Sequence, residues 1–244
     1  MEAGESPVIR RFSRIFTLTD DERRWLEAVA GPHRTSSPRR DIIQQGRPIP
    51  FVAVVQDGWL FRYKRREDGR RQILSFVLPG DLVGLHRRVV PVGGHALQSI
   101  TPTRLATMSD TQISALAAEQ PRLADAMFRL SALELAMMHE HALRLGRMSA
   151  RERVAHLLLE LWTRLRCTGE CTSTRFFFPL TQEMLADALG LSVMHIHRML
   201  RDLQNEELIS FEDRRLTLRD TEALAELAEF DPTYLGLRRN FALE

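Results

Sequence analysis

Two neighbouring segments of the chain, 181–189 and 192–205, carry hydrophobic residues at helical spacing. Gly190 separates them, and glycine adopts the left-handed conformation that ends a helix without steric cost. Thr181 and Ser192 stand at the two N-cap positions, where a hydroxyl can accept a backbone N–H. The pattern predicts two short helices joined by a tight turn, with inward residues at Met184, Leu185, Ala188, Leu189, Ile196, Met199, Leu200 and Leu203.

The second of these helices leaves one face outside its apolar set. A short helix with one packed and one free face, following another helix across a tight turn, is typical of a helix-turn-helix, whose second helix enters a DNA major groove. The segments Leu208–Phe211 and Leu216–Leu218, around a turn at 212–215, predict a hairpin wing. The outward face of the second helix comprises Val193, Met194, His197, Arg198 and Arg201.

The hydrophobic period changes to short runs in the first half of the chain. Runs at 51–55, 59–63 and 72–78 are separated by turn residues such as Asp57-Gly58 and Pro79-Gly80-Asp81. Strands at roughly ten-residue spacing predict an antiparallel barrel or a double-sheet jelly roll.

Before these strands, we expect Met1–Pro7 to be disordered and Leu18–Ala30 to be a helix that Thr19 caps and Gly31-Pro32 ends.

A long helix is predicted from Pro121 to about Gly146, after a short one at Asp110–Glu119. The long helix is apolar on nearly all sides, so two partners must cover it. We expect these to be its own barrel and the same helix of a second subunit in a two-fold coiled coil, with burial inside one domain as the alternative. The dimer interface is assigned to Leu123, Met127, Leu130, Leu133 and Met137.

A further helix at Ala150–Arg166, capped by Ser149, leads through a short strand at Phe176–Pro179 into the helix-turn-helix. We therefore predict three parts. Residues 1–120 form an N-terminal helix and jelly-roll sensor domain, residues 121–146 the dimerisation helix, and residues 147–244 a winged helix-turn-helix domain.

Composition changes this picture little. The chain has 244 residues, 44% hydrophobic and 27% charged, with a formal net charge of +2. We expect a cytoplasmic protein with no membrane contact, because no apolar run of signal-peptide or membrane-span length occurs. Over 181–219, however, five arginines face seven acidic residues. This acidic balance supports an alternative, a ligand-binding jelly-roll protein whose C-terminal helices mediate protein contacts.

Candidate chemistry outside the helix-turn-helix is sparse. Cys167 and Cys171 could form a reversible disulfide sensor or be two reduced thiols, and the pair alone is a poor zinc site. The pairs His139/His141 and His195/His197 are two residues apart and point in different directions on a helix. We therefore predict no metal site, and the absence of a nucleophile motif argues against an enzyme.

Specific residues connect these elements to a known family. The pieces are Leu180-Thr181-Gln182-Glu183, Leu189-Gly190-Leu191-Ser192, Arg198-Met199-Leu200 and Leu78-Pro79-Gly80-Asp81. Together they resemble the Crp–Fnr family of bacterial transcription regulators over nearly the whole chain. The resemblance implies an α+β fold: an antiparallel β jelly roll like cyclic-nucleotide-binding domains, a long dimerisation helix and a C-terminal winged helix-turn-helix. It also implies a homodimer on a pseudo-palindromic double-stranded DNA site, with RNA polymerase as a further partner.

The resemblance assigns roles to individual positions of the predicted recognition helix, about 192–205. Arg198 matches the position that reads a base edge, usually guanine, and His197, Met194 and Val193 are expected to tune base preference. Phosphate contacts are expected from Thr181, Gln182, Ser192, His195 and Arg201. For Thr181 and Ser192, helix capping is an alternative role that can coexist with the first.

The residues at the expected effector-binding positions depart from the family pattern. Cyclic-nucleotide binders of this family carry a Gly-Glu pair and a phosphate-holding Arg, whereas here Leu85 follows Gly84 and the later position reads Gly93-Gly94-His95-Ala96. Cyclic AMP is not expected, because a buried phosphate without its arginine is an uncompensated charge. An iron–sulfur cluster is not expected because no Cys precedes Cys167, and no residue is singled out as a haem ligand. A small-molecule effector of another kind stays open.

Overall fold

The computed structural model describes residues 5–29 and 33–237. Contacts divide the chain into two compact units. The first contains residues up to 70, 75–132 and 167–169, and the second contains 71–74, 133–166 and the residues from 170 onward.

Two four-stranded sheets make the jelly roll, which confirms the predicted class of fold. One sheet has the strand order β1-β8-β3-β6 and the other β2-β7-β4-β5. The strands are β1 (His33–Ser36), β2 (Asp41–Ile43), β3 (Val52–Asp57), β4 (Leu60–Arg65), β5 (Arg71–Val77), β6 (Leu82–Val83), β7 (Ala96–Ser99) and β8 (Thr103–Met108).

Alternation along β3 explains how one strand supports two apolar layers. Ala53 and Val55 belong to a core cluster with residues of both sheets, whereas Val52 and Val54 belong to a second cluster formed with helices. A strand that is apolar on both faces reads as a continuous hydrophobic run, as 51–55 does. The first cluster comprises Ile43, Ile49, Phe51, Ala53, Val55, Leu60, Val77, Val83, Leu97 and Leu105.

Among the described residues, the helices α1 (Pro7–Ser13), α2 (Asp20–Val29), α3 (Asp110–Glu119) and α4 (Pro121–Arg147) flank the strands of the jelly roll in the chain. The prediction of disorder up to Pro7 is wrong for its last residue, because Pro7 starts α1, whose Val8 and Phe12 are buried in the helical core cluster. The predicted Thr19 cap of α2 is confirmed, since Glu22 N–H donates to Thr19 Oγ1 at 3.3 Å. Residues 1–4 and the predicted helix end at Ala30, Gly31 and Pro32 lie outside the described residues.

The second unit contains the predicted helix-turn-helix and wing. A three-stranded sheet of order β10-β11-β9 follows the two short helices. The elements of this part of the chain are α5 (Ala150–Cys167), β9 (Arg175–Phe177), α6 (Gln182–Leu189), α7 (Val193–Asn205), β10 (Ile209–Glu212), β11 (Arg215–Leu218), α8 (Thr221–Leu227) and a 3-10 helix (Pro232–Leu235).

No helix among residues 5–29 and 33–237 is long and apolar enough to cross a membrane. In the same part of the chain, no three His, Cys, Asp or Glu side chains come together as a metal site.

Candidate nucleic-acid interface

The turn between α6 and α7 forms as its residues predict. Gly190 ends α6 with φ of 63° and donates its N–H to the carbonyl of Ala186. Ser192 then caps α7 by accepting the N–H of His195 at 3.2 Å. Three inward residues of α7, Ile196, Leu200 and Leu203, are buried. Because one side of α7 is packed, its register is fixed and its other side is presented to solvent.

The outward side of α7 contains all four predicted base-reading residues. His197 and Arg198 are exposed, and they lie four residues after Val193 and Met194, one helical turn away. Met194 is 79% exposed and Val193 is 43% exposed. Covering apolar side chains that are exposed to this extent is favourable, because it removes apolar surface from water. The thymine methyl group is the apolar feature of the major groove that can cover them.

The predicted phosphate-contacting residues have local partners in the chain. Thr181 Oγ1 accepts the N–H of Met184 at 3.2 Å, so its capping role is confirmed. The Ser192 hydroxyl lies 2.8 Å from Nδ1 of His195. The amide of Gln182, in the first turn of α6, lies 3.4 Å from Nδ1 of His197. The structure therefore brings Gln182 to His197 and Ser192 to His195, whereas Arg201 lies exposed farther along α7.

The wing adds a pair of residues that the sequence interpretation missed. Arg214 lies at the hairpin tip with its guanidinium carbon 5.7 Å from the centre of the Phe177 ring on β9. Asp213 and Arg214 both have positive φ, 49° and 59°, which is the geometry of a two-residue type I′ hairpin. The sequence did contain a signal for Phe177. Side chains alternate between the two faces of a strand, so Phe177 points away from its buried neighbours Phe176 and Phe178.

Ion pairs account for part of the acidic balance over 181–219. Glu206 pairs with Arg151, and Glu212 pairs with Arg175 at 3.0 Å. Both arginines lie outside the segment that was counted, so the local charge is less negative than the count suggests. The outward face of α7 itself carries Arg198 and Arg201 and no acidic residue up to Asp202, which is half-buried.

The predicted dimer interface on α4 requires a correction. Leu123 is 0% exposed, and Met127 and Leu130 are equally part of the core that the first unit forms within a single chain. Side chains that are at most 5% exposed offer almost no surface to a second subunit, so these three residues face the protein's own core. Leu133 and Met137 are partly buried. The side of α4 that carries Leu123, Met127 and Leu130 is therefore covered within the chain.

A different stripe of α4 is exposed. Phe128 is 72% exposed and Leu135, seven residues later, is 58% exposed. Met138 and Leu143 are also exposed, and the small residues Ala132 and Ala142 lie on the same side. This seven-residue recurrence is the spacing of a coiled-coil seam.

The jelly roll does not offer the groups that a cyclic phosphate requires. Leu85, in place of the acidic residue, begins a 3-10 helix and packs against the helical core cluster. The run Gly93-Gly94-His95-Ala96 contains no arginine, and the ring of His95 lies tilted against that of His86, with 5.1 Å between the ring centres. Burial, together with the nearby Arg62, lowers the pKa of His95 to about 4, so this ring is neutral at physiological pH. The residues present therefore do not fit a cyclic nucleotide.

A jelly roll followed by a helix-turn-helix with an exposed second helix defines a two-module DNA-binding regulator. Comparisons with known proteins agree: the Crp-like helix-turn-helix domain matches residues 152–227, and the cyclic nucleotide-binding domain matches residues 34–120. The nitrogen fixation regulation protein FixK of Azorhizobium caulinodans is 32% identical over 84% of this chain and 89% of its own length. The chain belongs to the Crp–Fnr family of transcription regulators.

Two further relatives show how broadly the similarity extends. The transcriptional activator protein anr of Pseudomonas aeruginosa is 27% identical over 87% of this chain and 86% of its own length. The solved structure of FixK2 from Bradyrhizobium japonicum is 29% identical, with a TM-score of 0.72 over 80% of this chain and 96% of that one. The protein is thus a sequence-specific DNA-binding transcription regulator with an N-terminal jelly roll.

Proposed function

We propose that the protein acts as a homodimer that reads a pseudo-palindromic DNA site through Arg198, His197, Met194 and Val193. The observation that carries this proposal is the outward face of α7, where these four side chains are exposed while the opposite side of the helix is buried. In a two-fold dimer, two such helices enter successive major grooves about 34–36 Å apart.

Each base-reading residue has a chemical role. The Arg198 guanidinium can donate two parallel hydrogen bonds to O6 and N7 of guanine. Met194 and Val193 supply apolar contacts for a thymine methyl group. Nδ1 of His197 is near the amide of Gln182, which leaves Nε2 as the nitrogen that meets a base.

Phosphate contacts set the register of the complex. The N-termini of α6 and α7 carry Thr181, Gln182, Ser192 and His195, and helix N-termini attract anions through their backbone N–H groups and dipoles. Arg201 extends this contact along α7. At the wing tip, Arg214 provides a further cation for the DNA backbone.

Dimerisation is assigned to the exposed stripe of α4. Phe128, Leu135 and Met138 would pack against the same residues of a second subunit, parallel to the two-fold axis. The three-part division into residues 1–120, 121–146 and 147–244 belongs to this proposal, with the jelly roll as the sensor of an effector other than cyclic AMP. RNA polymerase is the proposed further partner, and bacterial cytoplasm is the compartment in which such a regulator meets its DNA.

The test is selection of bound sequences from randomised DNA by the full-length protein, followed by affinity measurements for Arg198→Ala and Arg198→Lys. A bidentate contact to guanine predicts that both variants lose about 1–3 kcal/mol at the selected site and lose the preference for one base pair in each half-site. Lysine keeps the charge but not the planar fork, so it serves as the matched control. If the Arg198→Lys variant kept wild-type affinity and preference, Arg198 would be a phosphate contact, and absence of sequence-specific binding by the wild type would refute the proposal.

A further inference from the structure

The segment that follows the matched helix-turn-helix region has a defined structure of its own. The Crp-like match ends at residue 227, and residues 228–237, here named the C-terminal strap, continue beyond it. Asp231 caps a 3-10 helix, Pro232–Leu235, by accepting the N–H of Thr233 at 2.9 Å. Pro232 and Leu235 are buried, so this strap is packed rather than trailing.

Within the second unit, the strap contacts both helices that precede the winged part. Phe230 meets the ring of His156 on α5 edge-on at 5.1 Å, and Tyr234 stacks on the same ring at 5.9 Å. Gly236 lies against Leu133 on α4, where an added Cβ would come 3.2 Å from Leu133 Cδ2. Three elements, α4, α5 and the strap, therefore meet at one place.

A buried ion pair lies at the centre of this junction. Glu160 on α5 pairs with Arg144 on α4, and both side chains are almost fully buried. Arg164 approaches the other oxygen of Glu160 at 3.6 Å. Burial acts to raise the pKa of Glu160, but Arg144 and Arg164 outweigh it and hold the pKa below its usual value, so the carboxylate is ionised.

Tyr234 completes the coordination of this carboxylate. Its hydroxyl donates to Oε2 of Glu160 at 3.1 Å. Burial raises the pKa of Tyr234 well above its usual value, which keeps the hydroxyl protonated and able to donate. Buried charges are tolerated only in a geometry that satisfies them, so such a pair contributes more to a unique arrangement than to net stability.

The arrangement continues from α5 to the helix-turn-helix. Arg153 on α5 donates to the carbonyl of Leu189 at the end of α6, at 3.0 Å. Arg151 pairs with Glu206, the residue that follows the last turn of α7. Polar contacts therefore join α5 to the second half of α4 at Glu160, and the N-terminal turn of α5 to both α6 and α7.

We propose that Tyr234 is a positioning residue for operator recognition: by holding Glu160, it fixes the angle between the second half of α4 and the recognition helix. In the homodimer of the proposed function, on which this inference rests, that angle sets the distance between the two recognition helices. It therefore determines which spacing between half-sites the protein accepts. The specificity concerned is for operator geometry, whereas base identity is read by the outward face of α7.

The chain offers a matched control for testing this role. Tyr63 in the jelly roll also donates to a carboxylate, Asp41, at 3.0 Å. Tyr234→Phe and Tyr63→Phe each remove one hydroxyl and one hydrogen bond to a carboxylate while keeping the ring. Asp41 is exposed whereas Glu160 is buried, so the two variants differ in expected stability loss, and each is compared with its own thermal unfolding.

The experiment measures affinities of the full-length wild type and both variants for one half-site and for palindromes whose spacer is altered by up to two base pairs. Thermal unfolding is recorded in parallel. For Tyr234→Phe we expect unchanged half-site affinity and a loss of about tenfold at the preferred spacer, the lower end of the scale of a hydrogen bond to a charged group. The loss should be smaller at the other spacers, so the spacer preference weakens. Tyr63→Phe should keep the wild-type preference.

Two results would overturn the inference in different ways. An equal loss at every spacer for Tyr234→Phe, or an unchanged spacer preference, would show that Tyr234 contributes stability only. A wild type that binds the half-site and the palindromes with equal affinity would remove the homodimeric proposed function and the inference with it.

Discussion

The amide nitrogen of Gln182 lies 3.4 Å from Nδ1 of His197, across the turn of the helix-turn-helix. An amide N–H can only donate, so Nδ1 accepts and the ring proton resides on Nε2. Gln182, which is expected to contact a phosphate, thus orients His197, which is expected to read a base. His197 then presents a donor, which suits the acceptors O6 and N7 of guanine or O4 of thymine.

Replacing Gln182 by Ala should therefore affect base preference as well as affinity. We expect the affinity for the selected site to fall by about 0.5–1.5 kcal/mol, the net value of one hydrogen bond, and the preference at the base pair facing His197 to weaken. In a double-mutant cycle with His197→Ala, the two effects should be less than additive. Gln204→Ala, an exposed glutamine farther along α7, is the control. Full additivity would contradict the coupling.

The proposed dimer interface on the exposed stripe predicts opposite behaviour for two residues of α4. Leu135→Arg should raise the dimer dissociation constant strongly, because it places a charge in an apolar seam, yet it should leave monomer folding intact at a site 58% exposed. Met127→Ala should lower the free energy of unfolding by about 2–5 kcal/mol and leave the dissociation constant unchanged. Sedimentation equilibrium and chemical denaturation measure the two quantities, and the reverse outcome would restore the original assignment.

Gly190 and Gly146 should respond oppositely to alanine. Gly190 has φ of 63°, and its added Cβ would meet Leu145 at 3.4 Å. Gly190→Ala should cost about 1–2 kcal/mol of unfolding free energy and weaken DNA binding by disturbing the turn. Gly146 is helical with nothing within 4 Å of its added Cβ, so Gly146→Ala should stabilise by about 0.5–1 kcal/mol. Urea denaturation checks both values, and stabilisation by Gly190→Ala would refute the assigned turn geometry.

Stability should fall in mild acid because of His156. Burial, followed by the charge of Arg144, lowers its pKa to about 4, against the opposing influence of Glu160, while Glu140 Oε2 lies 3.7 Å from the ring. Since the folded pKa is below that of the unfolded chain, the unfolded state binds more protons between these values. The contribution of neutral His156 to the free energy of unfolding is complete above about pH 6.5. It is lost as the pH falls towards 4, by up to about 3 kcal/mol.

The measurement is the free energy of unfolding at several pH values for the wild type, His156→Leu and His139→Leu. His139 is exposed and serves as the control. His156→Leu should reduce the slope between pH 6.5 and 4 but not abolish it, because burial also lowers the pKa of His95 and His141 to about 4. His139→Leu is the surface control. Identical slopes for all three proteins would show that His156 is not the group responsible.

The helix-turn-helix was predictable almost residue by residue because its determinants are local. Thr181, Gly190 and Ser192 act within four residues of their own positions, and the apolar stripes of α6 and α7 follow from helical spacing. The first helix, α1, could not be found in this way. It has only seven residues, and it is held by the burial of Val8, Ile9 and Phe12 against distant elements.

The sequence by itself therefore determined the order of elements, the type of both modules and the outward face of α7. Only the tertiary structure decided which side of α4 is covered within the chain, because a helix that is apolar on nearly all sides does not reveal which partner meets which side. It also brought Phe177 to Arg214 and Tyr234 to Glu160, pairs that are 37 and 74 residues apart. Periodicity reports which side of an element is buried, whereas contacts between such distant residues depend on how the whole chain packs.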